Sequence, residues 1–247
     1  MNLKKFNTFI FDLDGTFWNF PQINEGCREV YEKLEKLKKK VIFVSNFTYL
    51  DRDGIIKIFK DSGIKIEKEQ LITSGYVASL ILKNKKVFPI GDGLKRELLK
   101  NGIKLSEKYA EAVVVGHDTK YNYYKASKAL NLLLKGANFY TTAEGKIWFF
   151  RNKTVPGTGI IVAGLEFCSN KKAVMLGKPS IYILKEIKKK VKGKIIYFGD
   201  EVKADVEFAK KAGFFSVFVR SGVDRNVKKH KADFVLNSVG ELLKFLR

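Results

Sequence analysis

Cysteine is scarce. Cys27 and Cys168 are the only two in 247 residues, too few for a disulfide framework and without metal-binding spacing. Cys27 falls on the apolar face of an expected helix and Cys168 ends an apolar helical run. Both therefore read as small core residues in a reducing, cytoplasmic setting. Long hydrophobic runs are missing too. The longest nearly apolar stretch, Ile160 to Leu165, is far too short to span a bilayer. Met1-Asn2-Leu3-Lys4-Lys5 leads straight into a strand pattern, so no signal peptide is expected. No Pro-, Gly- or Ser-rich linker and no low-complexity tract divides the chain. An RNP-type aromatic strand, zinc-finger spacing and a disordered basic tail are all lacking.

What is plentiful is lysine. Lys and Arg total 47 against 26 Asp and Glu, for a net charge of +21. Such a charge favours anionic partners: nucleic acid, an acidic membrane surface or phosphorylated small molecules. The lysines are spread over nearly every expected helix, as in Lys33-Lys36-Lys38-Lys39-Lys40 and Lys185-Lys188-Lys189-Lys190-Lys192. Solvated helix faces look like this, so nucleic acid and membrane are not the expected partners. A hydrophobic content of 45% with 30% charged residues is ordinary for a globular chain able to bury a core.

Strand and helix signals alternate from the start. Thr8 to Phe11 and Val41 to Val44 are apolar runs of the kind buried on both faces of a parallel sheet. Between them, Ile23, Cys27, Val30, Leu34 and Leu37 recur at helical spacing. Asp51 can cap the next helix, Leu71 to Thr73 is a short strand, and a helix follows from Ser74. The middle has its own rhythm: strands at Lys86 to Ile90, Ala112 to Val115, Phe139 to Thr142 and Ile147 to Phe150, with helices at 94–100 and 123–134. Pro156-Gly157-Thr158-Gly159 could cradle a phosphate at a helix start, but no Walker lysine-serine pair follows, so turn chemistry is the better reading. The last third returns to the first rhythm: Ala173 to Leu176 precedes Gly177-Lys178-Pro179-Ser180, where Pro marks a helix start, and that helix runs to about Lys190. Strands follow at Lys194 to Phe198, Phe215 to Val219 and Phe234 to Leu236, with a helix at 239–246. The expected fold is α/β, a doubly wound parallel-sheet core at 1–73 and 173–247 interrupted by an inserted α/β domain at 74–172.

Asp12-Leu13-Asp14-Gly15-Thr16 stands at the end of the first strand. A buried mid-strand carboxylate is costly, so Asp12 belongs at the strand's tip, and Gly15 lets the chain bend directly after it. Carboxylates at the carboxyl end of a parallel strand occupy the usual ligand position of an open α/β sheet. Alone, the stretch is equally readable as a polar turn; a calcium loop fails for want of its alternating acids and final Glu. Three further places present polar groups at an element's edge: Ser45-Asn46, Lys178, and Asp200 with Asp205. Each has a dull reading, such as a cap, a turn or one surface lysine among many.

Together, in this order, they resemble the four motifs of the haloacid dehalogenase (HAD) superfamily. The Val87 to Gly91, Ala112 to Gly116, Tyr140-Thr141-Thr142, Pro156 to Gly159 and Gly177-Lys178-Pro179 stretches are similar to its NagD-like subfamily, whose α/β cap lies between the second and third motifs. The chain departs from that pattern at Ala143-Glu144-Gly145, where relatives usually carry Asn-Pro-Asp, and at Phe47, where they carry a second Asn. The resemblance implies a Rossmann-like core and a Mg²⁺-dependent phosphatase for a small phosphorylated metabolite. Asp12 would be the nucleophile and Asp14 the general acid and base. Asp12, the Asp14 carbonyl and Asp200 would hold the metal, with Asp205 supporting it. The Ser45 hydroxyl, the Asn46 backbone and Lys178 would bind phosphoryl oxygens, with Lys178 also a catalytic residue that offsets negative charge between Asp12 and the phosphate; Thr16, at the phosphate site, would help order the loop holding Asp14. A homodimer through the cap is a further candidate partner, apart from the resemblance. A phosphotransferase or mutase on the same fold, a basic nucleic-acid-binding module and a dimerising scaffold are the alternatives. Within the cap, Tyr121, Tyr123, Tyr124, Trp148 and His117 are candidate substrate contacts, although His117 reads first as a loop residue and the tyrosines as a helix start.

Overall fold

The computed structural model describes residues 2–150 and 153–246. In chain order the first layer begins with β1 (Thr8–Phe11), a small hairpin of β2 (Trp18–Asn19) and β3 (Gln22–Ile23), and α1 (Cys27–Lys36). It continues through β4 (Lys40–Ser45), α2 (Arg52–Asp61) and β5 (Leu71–Thr73) to α3 (Ser74–Ile81). A second run follows: β6 (Lys86–Ile90), α4 (Asp92–Lys100), β7 (Lys104–Leu105), β8 (Ala112–Val115), α5 (Tyr123–Leu134) and β9 (Asn138–Thr141). It closes with the hairpin β10 (Ile147–Phe150) and β11 (Lys153–Pro156), α6 (Gly159–Ser169) and β12 (Val174–Met175). The chain ends with α7 (Ile181–Lys190), β13 (Ile195–Gly199), α8 (Phe208–Lys211), β14 (Phe215–Val219) and β15 (Phe234–Leu236).

These strands make two parallel sheets. One has six strands in the order β15-β14-β13-β1-β4-β5, the other five in the order β12-β9-β8-β6-β7. Period-two alternation sorts their residues. Phe9, Phe11, Phe43 and Phe198 point into one core, while Ile10, Ile42, Val44 and Tyr197 point into another. Phe11 and Phe198 stack with ring centroids 4.7 Å apart. The second core is shared between the sheets: α3, α4 and α7 fill it with Val77, Leu94, Leu98, Ile183 and Ile187, against Val87, Ala112 and Val114 of the five-stranded sheet. A buried ion pair adds a polar tie there. Arg52 Nε of α2 lies 2.7 Å from Glu97 Oε1 of α4, Glu97 Oε2 accepts from the Arg52 backbone N–H, and the guanidinium sits 3.7 Å above the Tyr76 ring. Such a pair fixes geometry more reliably than it adds stability.

Several local expectations change. Val174–Met175 pairs with β9 in the five-stranded sheet, while a core expected to resume at residue 173 would put it in the first. After Asp200 the chain makes a π-helical turn, Val202–Glu207, before α8, and residues 239–244 form a 3₁₀ rather than an α-helix. Cys27 is buried as expected, but Cys168 is exposed. The face of α6 that packs inward is Ile161, Val162, Leu165 and Ser169, which puts Cys168 on the outer side; apolar character along the whole helix concealed its phase.

Candidate active site

The first-sheet order makes β1 the neighbour of both β13 and β4. The chain runs one way from β1 through β4 to β5 and the other way from β13 to β15, so the crevice at the carboxyl ends of β1 and β13 is a topological switch point. Three motif residues arrive there because their strands end there. Asp12 follows β1, its N–H donating to Phe198 O at 2.9 Å; Ser45 is the last residue of β4; Asp200 follows Gly199 of β13. Gly15 has a φ of +74°, and a Cβ on it would lie 2.6 Å from Asp200 Oδ2, so no other residue lets the loop close over that carboxylate.

Lys178 reaches the same point from the other sheet. Its backbone is clamped by the Asn46 side chain, which accepts from Lys178 N–H at 2.7 Å and donates to Lys178 O at 2.9 Å. The Lys178–Pro179 peptide is cis. Lys178 Nζ lies 2.5 Å from Asp12 Oδ1 and 2.6 Å from Asp205 Oδ1. Burial alone would push the ammonium pKa down, but the Asp12 and Asp205 charges reverse this and hold it well above its ordinary value. The π-helical turn brings Asp205 in: it also accepts from Tyr197 Oη at 3.0 Å and from Glu201 N–H at 3.1 Å.

Carboxylate oxygens of Asp12, Asp200 and Asp205 come within 4.8 Å of one another. Burial raises the Asp12 carboxyl well above the usual range, with Lys178 opposing and Asp205 and Asp14 adding to the rise. Burial and then the charges of Asp12 and Asp205 raise Asp200 likewise. A buried cluster of hard oxygen donors carrying more negative charge than its one lysine offsets fits a divalent cation such as Mg²⁺.

Asp14 stands apart from that trio. Trp18 Nε1 donates to its Oδ1 at 3.0 Å, and Ser45 Oγ lies 3.5 Å from its Oδ2. Burial lifts its pKa to about 6, although Trp18, Trp148, Lys178 and Ser45 all favour the ionised form. That value suits a group that must give and then take a proton near neutral pH. Thr16 is buried and donates to Asp200 Oδ1 at 3.4 Å; it sits behind the carboxylates instead of lining the cavity.

A cavity of about 640 Å³ opens over these groups, between the two sheets' loops. Asp12, Asp14, Ser45, Asn46 and Lys178 line it together with the aromatic side chains of Phe20, Phe47, His117 and Trp148. Both departures from the subfamily pattern therefore face the cavity: Phe47 in its aromatic wall, and Glu144 with Gly145 on the loop beside it. Of the candidate cap contacts, Trp148 and His117 reach it; Tyr123 and Tyr124 are exposed elsewhere. Other residues at the site carried no sequence signal of their own. Tyr197 looks like one more apolar strand position, and Glu201, whose pKa burial and then the Asp205 charge push up to about 7, looks like a solvent acid. Trp18, four residues after Asp14, could have been noticed from that spacing.

Comparison with known proteins agrees with this geometry. A family model described as haloacid dehalogenase-like hydrolase matches residues 9–104, and a second HAD-hydrolase-like model matches residues 175–242. The chain belongs to the haloacid dehalogenase-like hydrolases. This HAD hydrolase is 27% identical to a 4-nitrophenylphosphatase from Thermotoga maritima, with a TM-score of 0.89 over 99% of both chains. It is 28% identical to a p-nitrophenyl phosphatase from Archaeoglobus fulgidus, with a TM-score of 0.88 over 97% of this chain and 99% of that one. The chloroplastic phosphoglycolate phosphatase 1A of Arabidopsis thaliana is 26% identical over 96% of this chain and 76% of its own length. Among the described residues no helix is long and apolar enough to cross a membrane.

Proposed function

We propose that this enzyme, a phosphatase of the HAD family, hydrolyses small phosphomonoesters through an aspartyl-phosphate formed on Asp12, with Mg²⁺ as its cofactor. The observation that carries the reading is Asp12 at the tip of β1, buried, beside Lys178 and two further carboxylates, on the floor of a cavity large enough for a small ester. Asp12, Asp200 and the Asp14 carbonyl would hold the metal; bound there, it would neutralise charge between the nucleophile and the phosphate dianion. Lys178 supplies a fixed positive charge beside the Asp12 oxygen that attacks. Ser45 Oγ, which already accepts from the Phe47 N–H at 3.0 Å, can donate to a phosphoryl oxygen, and the Asn46 side chain keeps Lys178 aimed. Asp14 in its protonated form delivers the proton to the leaving oxygen and, once ionised, takes one from the water that cleaves the aspartyl-phosphate. Asp205, satisfied by Lys178, Tyr197 and Glu201, positions the lysine.

In the same reading, the five-stranded sheet and its helices are an inserted cap that begins at Ser74 and ends with β12. Unpaired cysteines fit a cytoplasmic location. The proposed homodimer would use the outer face of α6, where Ile160 and Phe167 are 63% and 89% exposed. Residues 159–169 contain no lysine or arginine, so two copies of a strongly basic chain could approach there without repulsion.

Asp12→Asn tests the assignment. The variant should fold, shown by an unchanged circular dichroism spectrum, and release no inorganic phosphate from phenyl phosphate. Turnover comparable with the unmodified enzyme would remove Asp12 as nucleophile and with it the proposed mechanism.

A further inference from the structure

The amino ends of the six-stranded sheet form the edge of the core opposite Asp12, Ser45 and Asp200, which stand at the carboxyl ends of the same strands. Lysines dispersed along the sequence meet at this edge. Lys4 and Lys5 lead into β1, and Lys192 and Lys194 into β13. Lys39 precedes β4, whose first residue is Lys40. Crossover helices run back against the strands, so α1, α7 and α8 end here too, in Lys36, Lys190 and Lys211. Hydrogen bonds set the lead-in segments side by side. Thr8 Oγ1 donates to Lys192 O at 3.1 Å, and the N–H groups of Asn7 and Lys40 donate to Lys194 O at 2.8 Å and Asn7 O at 3.1 Å. Lys39 Nζ donates to Lys4 O at 3.0 Å and Phe6 O at 2.8 Å. Lys5 Nζ lies 5.5 Å from the ring of Phe215, the first residue of β14.

The fold itself accounts for part of this charge. Cations in a last helical turn complement the helix dipole, which covers Lys36, Lys190 and Lys211. Lys4, Lys5, Lys40, Lys192 and Lys194 belong to no helix, and all five are exposed. Among the described residues none of these lysines is in an ion pair, although two neighbours are: Lys189 with Glu186 and Lys210 with Asp233. Burial pushes the Lys190 ammonium pKa down, Glu69 opposes the fall, and the Arg52 and Lys40 charges add to it. The unpaired carboxylates sit toward one end. Glu35 borders the groove beside β5, and Glu69 stands two residues before that strand. The middle of the edge is left basic.

We propose that this edge is a docking surface for the phosphate backbone of double-stranded DNA, separate from the phosphatase site. From β14 to β4 three strand spacings cover about 15 Å, a length of duplex that carries roughly nine phosphates. A duplex turns one side to a protein, so about four of these can meet ammonium groups. Other polyanions fit less well. The bases of a single strand stack on aromatic side chains, and the exposed rings among the described residues, Tyr109, Tyr123, Tyr124 and Phe167, all lie in the layer of the five-stranded sheet. A membrane surface calls for an apolar anchor besides charge, and exposed Leu37 is a small one. RNA recognition draws on 2′-hydroxyl contacts and stacking, to which a row of ammonium groups contributes little.

Fluorescence anisotropy of a labelled DNA duplex of about 20 base pairs, titrated with the full chain between about 50 and 200 mM salt, tests the surface. Four phosphate contacts give a slope of log K against log salt of about −3.6, so affinity should fall about 150-fold across that range. The triple variant Lys40→Glu, Lys192→Glu, Lys194→Glu should bring the slope to about −1 and weaken binding at the lowest salt by more than about tenfold. Lys104→Glu, Lys108→Glu, Lys135→Glu makes the same charge change on the other layer and should leave the slope near its original value. Equal losses in both triples would reduce the effect to net charge and overturn the surface. So would an absence of duplex binding at the lowest salt, or tighter binding to an RNA duplex or to phosphatidylserine vesicles. If the first triple does not fold, Lys192→Glu alone should cut the slope by about one. Saturating duplex should leave phenyl phosphate hydrolysis unchanged, because the two sites lie at opposite ends of the strands. Competitive inhibition would place the DNA in the catalytic cavity and overturn the proposal. A chain that binds the duplex in this way but releases no phosphate from esters defeats the phosphatase reading and leaves this one standing.

Discussion

Replacing Asp200 with asparagine should make the metal-free protein more stable and remove its response to Mg²⁺. Like charges 4.8 Å apart, the outer limit of the Asp12, Asp200 and Asp205 cluster, repel by about 3.5 kcal/mol at an effective dielectric of ~20. Lys178 offsets one of the three charges, which leaves roughly one such repulsion to be relieved when Asp200 loses its charge. The native pKa of Asp200 lies above its unfolded value, so the folded state holds the extra proton, and the carboxylate costs stability as pH rises through that native pKa. Asparagine keeps an acceptor for the Val223 N–H, 2.7 Å from Asp200 Oδ2. It exchanges a charged hydrogen bond for a neutral one, a loss of about 1 kcal/mol. Where pH exceeds that native pKa the net gain is about 2.5 kcal/mol, or roughly 5–10 °C in Tm for a chain of this size. In the unmodified protein, Mg²⁺ at a hundred times its Kd should add about 2.7 kcal/mol. Thermal melts of both proteins in EDTA and in excess Mg²⁺ read all four values. A Mg²⁺ shift in Asp200→Asn equal to that of the unmodified protein would refute the metal assignment. A lower Tm for the variant in EDTA would refute the repulsion argument.

Asp14, with a native pKa of about 6, must be protonated to expel a poor leaving group. The ratio of kcat/KM for an alkyl phosphate to that for an aryl phosphate should therefore fall as pH rises through about 6, and a nearby divalent cation would move this limb lower. The second ionisation of the phosphate itself cancels in the ratio, and a ratio independent of pH would remove Asp14 as the acid. The α6 dimer predicts that Phe167→Lys sediments as a monomer at concentrations where the unmodified chain is a dimer; identical sedimentation of the two would eliminate that face.

The parts of the site that were legible from sequence are those fixed by strand ends. Asp12, Ser45 and Asp200 each follow an apolar run that has to be buried on both faces, so their position at one edge of a parallel sheet was implied by where the runs stop. Direction was not legible. Thr16 lies inside the motif yet faces backward to Asp200, because Gly15 turns the chain between them. The sequence suggests a backbone contact from Asn46 to a phosphate; that its side chain also holds Lys178, a partner 132 residues away, has no local signal. Asp205 is brought to Lys178 by a π-helical turn, which local propensity gives no reason to expect. Tyr197 follows the same alternation as its apolar neighbours, and only the position of Asp205 makes its hydroxyl useful.

Cys168 shows the same limit in helical form: a run that is apolar all round does not reveal which side packs. The aromatic wall is the extreme case. Phe47 precedes Trp148 by a hundred residues, and nothing in either local pattern says that they meet over the carboxylates.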